Sequence, residues 1–116
     1  MTSVLVLGID PHAVPGLDGP AISAALDGEM ARFRAQGIEV STTMVALDDS
    51  AEPEIIAALT ERAWDVVVVG GGIRKPAPLL TFFEQVVNLI RQHAPQAAIA
   101  FNTSVADSVE SAQRVL

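Results

Sequence analysis

"DVVVVGGGIRKPAP" runs from Asp65 to Pro78 and decides the reading of the whole chain. Four consecutive valines form an apolar run too short for a helix and rich in β-branched side chains. Such a run suits a strand buried on both faces. The strand is expected over Asp65–Gly70, central in its sheet because it is the most apolar segment. Gly70, Gly71 and Gly72 then end it, and Arg74 and Lys75 follow. Glycines permit φ > 0 and a close backbone approach, and exposed N–H groups there suit a phosphate or carboxylate. The other reading is a tight turn at the end of the strand.

The pattern repeats outward from this segment. "VLVLG" (Val4–Gly8) is a second continuous apolar run and the first strand of the chain. The loop "DPHAVPGLDGP" follows, broken by Pro and Gly. From Ala21 to Gln36, Ile22, Ala25, Leu26, Met30 and Phe33 recur at helical spacing, and Gly37 provides the stop. "IEVSTTMVAL" (Ile38–Leu47) alternates loosely, as a half-exposed edge strand does. "DDSAEPE" opens a helix running to about Ala63, with carboxylates suited to its N-terminus. A helix over Leu79–His93, a strand over Ala97–Asn102 and a final helix complete the order. The last helix is expected to start at Thr103 or Ser104, with Val105, Val109, Ala112 and Leu116 on one face.

Strand-helix alternation four times over predicts a single α/β domain across residues 1–116. Its sheet is parallel and doubly wound, four strands in the order 2-1-3-4, with helices on both faces, as in flavodoxin-like three-layer sandwiches. Ligands in such sheets bind beyond the carboxyl ends of the strands. Three loops are expected to converge there. They carry Asp10 and His12, then Gly70 to Lys75, then Asn102, Thr103 and Ser104. Arg74 and Lys75 supply the cations an anion site needs. His12 is placed for acid/base chemistry near neutral pH, or else orients a surface loop. Asp10 either steers His12 or closes an Asx-turn on its own backbone. Asn102, Thr103 and Ser104 are helix-capping types, and a helix N-terminus also favours anions. Ser104 lacks the G-x-S-x-G setting of a hydrolase nucleophile. His93 ends a helix, where a cation complements the dipole.

Composition narrows the classes of function. Seven Lys and Arg against fourteen Asp and Glu leave a formal charge of −7. Nucleic acid and anionic membrane surfaces are therefore poor partners. There is no cysteine, so disulfides and thiolate chemistry are excluded. No metal site is expected, because Asp10 and His12 lack further ligands nearby. The opening residues lack a basic stretch before their apolar run, and a cytoplasmic location is expected. The helix Leu79–His93 carries more apolar residues than the ~100° stripe that one sheet requires. Leu80 and Val87 are the surplus, and they suggest a homodimer built through this helix.

Several families resemble the chain in part. Flavodoxins share the alternation, but "DPHAVPG" is not their phosphate loop and the chain has no tyrosine, so FMN is not implied. Receiver domains are similar in topology, with Asp10 and Thr103 at their outer positions but a glycine in place of the phosphoacceptor. Cobalamin-binding domains resemble it through Asp10, His12, "STT" from Ser41 and the Gly70-Gly71 pair, with the glycine after His12 one place late at Gly16. Over nearly its whole length the chain looks like a set of small uncharacterised bacterial α/β proteins. It shares with them an Asp-Pro-His loop, a "VVVVGGGIR" strand end and an "AIAFNT" strand. That resemblance implies that these polar residues matter and brings no cofactor or activity. The expectation is a small anionic ligand at the sheet edge; the alternative is a non-enzymatic dimerisation or protein-interaction module.

Overall fold

The computed structural model describes residues 1–116. Four parallel strands, β1 (Ser3–Ile9), β2 (Glu39–Val45), β3 (Val66–Val69) and β4 (Ala98–Phe101), form one sheet in the order β2-β1-β3-β4. Five helices connect and close it: α1 (Gly19–Ala35), α2 (Ala51–Thr60), α3 (Gly71–Arg74), α4 (Leu80–His93) and α5 (Ser108–Gln113). This is the doubly wound order expected from the alternation.

The valine run explains why β3 is central. All four valines are fully buried. Val67 and Val69 face one core with Leu5, Leu7, Ile55, Trp64, Val86 and Ile90, under α2 and α4. Val66 and Val68 face the other with Val4, Val6, Phe33, Val109 and Ala112, under α1 and α5. Each buried valine contributes roughly 1.5–3 kcal/mol, so alternate residues stabilise opposite layers. β2 is an edge strand, with Ser41 and Thr42 exposed. β4 is the other edge, and Phe101 at its end is exposed.

Two local expectations are corrected. The glycine triplet is not a loop but the entry to α3, a single helical turn. None of its residues has positive φ; only Gly16 and Gly37 do. Gly70 is required instead by proximity, since a Cβ there would lie 3.0 Å from the Leu7 carbonyl oxygen. The final helix is also shorter than expected. Val105–Asp107 is a 3₁₀ turn, α5 covers only Ser108–Gln113, and Leu116 is exposed.

Candidate functional site

The end of β4 and the start of α3 form one knot of polar side chains, with Asn102 at its centre. Asn102 is 2% exposed. Its Oδ1 accepts from the Gly71 N–H at 3.0 Å, and its Nδ2 donates to Ser108 Oγ at 3.0 Å. A buried amide satisfied at both ends ties three segments together. Arg74 donates through Nη2 to the Asn102 carbonyl oxygen, and its guanidinium lies 5.9 Å from the Phe101 ring centre. Lys75 Nζ donates to the next carbonyl, that of Thr103. Both cations are therefore bonded to main-chain oxygens of the β4 loop. Arg74 Nε is buried without a partner.

Thr103 and Ser104 belong to Asp107. The carboxylate of Asp107 accepts from the Thr103 amide at 2.9 Å, from the Thr103 hydroxyl at 2.7 Å and from the Ser104 amide at 3.1 Å. Ser104 answers through Oγ, which accepts from the Ala106 amide at 3.3 Å and completes a capping box. Desolvation pushes the Asp107 carboxyl up. The Thr103 hydroxyl, the Ser104 and Thr103 amides and the charge of Arg114 outweigh it, so the group sits below the usual carboxylate range.

The loop after β1 is organised separately. Asp10 Oδ1 accepts from the backbone N–H of His12 at 2.9 Å, which is the Asx-turn reading. The exposed His12 ring lies over Gly19, where a Cβ would come within 2.6 Å of the imidazole. His12 thus covers the first turn of α1. Arg74 lies against Phe101, whose register partner Val69 faces the α4 layer. Gly71, Arg74, Lys75, Asn102 and Thr103 come together; Asp10 and His12 do not join them through any hydrogen bond. Gly72 is exposed, with a Cβ position 4.0 Å from Ile9.

Two further arrangements were not anticipated. Glu29, 4% exposed, bonds Arg32 at 2.7 Å and the Val109 amide at 3.2 Å. Arg32 reaches on to both carboxylate oxygens of Glu110, at 2.7 and 2.8 Å, so α1 and α5 are clamped. The Glu110 and Glu29 bonds hold the Arg32 guanidinium more firmly protonated than usual. Only the Glu29–Arg32 spacing was visible in sequence; the third partner is far along the chain. Asp107 carried a clearer signal, since Ser104-x-x-Asp107 is a capping-box pattern.

Two surface depressions lie elsewhere. One, of about 370 Å³, sits between the β2–α2 loop and α4, lined by Leu47, Asp48, Asp49, Glu52, Phe82 and Gln85 among others. Its carboxylates suit no anion. Asp48 is held below its ordinary range by the Ser50 hydroxyl and amide, and Glu52 accepts from Gln85 at 3.0 Å. A second is an open depression bordered by Asn88, Arg91, Gln92 and Pro95 at the far end of α4. No group of three or more His, Asp or Glu is arranged to hold a metal ion. No helix is long and apolar enough to cross a membrane.

No family model matches the chain, and no curated protein matches it in sequence. Solved structures do. One is a "putative lipoprotein from Peptoclostridium difficile 630 (fragment)", with a TM-score of 0.53 and 14% identity over 87% of this chain and 72% of that one. Another is TesA, with a TM-score of 0.53 and 24% identity over 86% of this chain. The chain spans 59% of the length of TesA, under two thirds of it. At these identities the likeness shows the α/β fold alone.

Proposed function

We propose that the chain is a protein-interaction module whose working surface is α4 with the adjoining edge of β4. The observation that carries this reading is Leu80, which stands 65% exposed on α4. Around it Phe83 and Val87 are half-buried, and Phe101 packs edge-on against Phe83 at 5.8 Å. A clustered apolar surface beside an unpaired sheet edge is what a docking face offers. The polar residues at the sheet edge serve the fold in this reading: Asn102, Thr103, Arg74 and Lys75 are bonded within the chain.

A photo-activated cross-linking residue placed at position 80 or 87 tests the reading in cells producing the protein. Adducts are expected at both positions and none at position 12. Adducts at position 75 or 103, with none at 80 and 87, overturn it.

One observation favours a second reading, a small anion at the carboxyl edge. Arg74 and Lys75 are anchored on adjacent carbonyls, so two cations lie side by side in a chain of net charge −7. Lys75 is exposed and able to exchange its carbonyl for a phosphate or carboxylate oxygen. Titrating the protein with inorganic phosphate, sugar phosphates and small carboxylates in a thermal-shift assay separates the readings. A rise in melting temperature that disappears in Lys75→Ala supports the anion; an unchanged melting temperature across the panel removes it.

A further inference from the structure

The docking reading leaves the occupant of α4 unnamed, and the charge pattern of the helix identifies one. α4 carries one carboxylate, Glu84, one guanidinium, Arg91, and His93 at its end, so with the histidine neutral it has no formal net charge in a chain of −7. An acidic protein repels its own copies, and a charge-balanced face is where two copies approach at least cost. Leu80, Glu84, Val87 and Arg91 are spaced four, three and four apart and share one stripe of the helix. Leu80, Glu84 and Arg91 are exposed, and Val87 is half-buried.

We infer that this stripe docks on the same stripe of a second copy, antiparallel about a twofold axis near Val87. The inference rests on the docking reading above. A twofold contact is isologous: if Glu84 meets Arg91 of the second copy, Arg91 meets Glu84 in return. One stripe thus forms the ion pair twice. In this register Leu80 falls on the depression bordered by Arg91, Gln92 and Pro95, where the Pro95 ring and the aliphatic stems of the long side chains receive it. A slip of one helical turn toward the start of α4 places Glu84 against its own copy, and the like charges disfavour it. The charges select the register, and Leu80 and Val87 supply apolar burial.

Sedimentation equilibrium on the full chain tests the inference, with the melting temperature of every variant as the folding control. All substituted side chains are exposed in the single chain, so the control is expected to hold in dilute protein, where dimerisation adds no stability. The wild type is expected at twice the chain mass of 12.2 kDa. Leu80→Asp is expected to be monomeric. Glu84→Arg and Arg91→Glu each place like charges opposite one another and weaken dimerisation about tenfold or more, whereas the E84R/R91E double variant returns to within about threefold of the wild type. Recovery by the double swap is particular to this register. A double variant as weak as the single ones overturns the inference. A wild type still monomeric at about 0.1 mM, too weak for a specific dimer, also overturns it. If position 80 nevertheless cross-links to another protein, the docking reading survives and only the second copy is lost. A dimer indifferent to Leu80→Asp, with no adduct at position 80 or 87, overturns both.

Discussion

Asn102, just past the end of β4, and Leu80, at the start of α4, invert the usual rule. The amide is 2% exposed and bonded at both ends; the leucine is 65% exposed. Polarity has been drawn inward at the carboxyl edge of the sheet, where it holds the end of β4, α3 and the start of α5 together. Apolar surface has been left outward on α4. The contrast teaches that residue chemistry marks a working surface only after its local obligations are counted. A polar side chain fully occupied by its own backbone is part of the scaffold. An apolar side chain without cover is where a partner gains free energy.

Asn102→Ala should produce the largest change. It strands the half-buried Gly71 N–H, takes one of two bonds from the buried Ser108 hydroxyl, which keeps its bond to the Val105 carbonyl, and leaves a gap in the knot; urea unfolding is expected to report a loss of about 2–4 kcal/mol. A loss under about 0.5 kcal/mol would break the claim that the knot is structural. Gly70→Ala comes next, at about 1–3 kcal/mol, because its Cβ meets the Leu7 carbonyl oxygen at 3.0 Å. Gly72→Ala, with its nearest contact at 4.0 Å, should cost well under 1 kcal/mol by the same measurement. Equal costs at both glycines would contradict a role in close backbone approach.

Asp107→Asn should cost about 1 kcal/mol as a weakened cap, or about 4 °C in melting temperature. Its sign with pH follows from the depressed folded-state carboxyl. That contribution is present above the unfolded carboxylate range and is lost as pH falls through the lower folded value. The wild type should therefore lose part of its advantage over the variant on acidification. A difference between the two that is constant with pH would remove Asp107 from the account. Smallest of all, Leu80→Ser should leave the urea stability of the dilute single chain within about 0.5 kcal/mol, since there the side chain is mostly in water.

The same contrast explains what was legible in the sequence. The strands were plain, because Val4–Leu7 and Val66–Val69 are buried on both faces and burial on both faces leaves no polar interruption. The strand order followed from alternation alone. The glycine triplet was not legible, because glycine is a poor helix former and α3 is held by a tertiary bond, Asn102 to the Gly71 amide. The convergence of Gly71, Arg74, Lys75, Asn102 and Thr103 was foreseen from topology. Their bonding within the chain was not, since spacing carries no information on which carbonyl a cation reaches. His12 illustrates the same limit. Its nearness to Asp10 in sequence allowed a steered imidazole or an Asx-turn without choosing between them; the carboxylate bonds the His12 amide, the Asx-turn, and the ring covers Gly19. The Arg32 clamp joins residues 78 apart, beyond any local pattern.

The most direct test of the central claim is a dilution series of backbone amide NMR spectra on the wild-type chain. If the α4 face docks on a second copy, amides of Leu80, Glu84, Val87 and Arg91 shift with protein concentration while those of Gly71, Arg74, Asn102 and Thr103 stay fixed. Concentration-independent α4 amides throughout the series would contradict the claim.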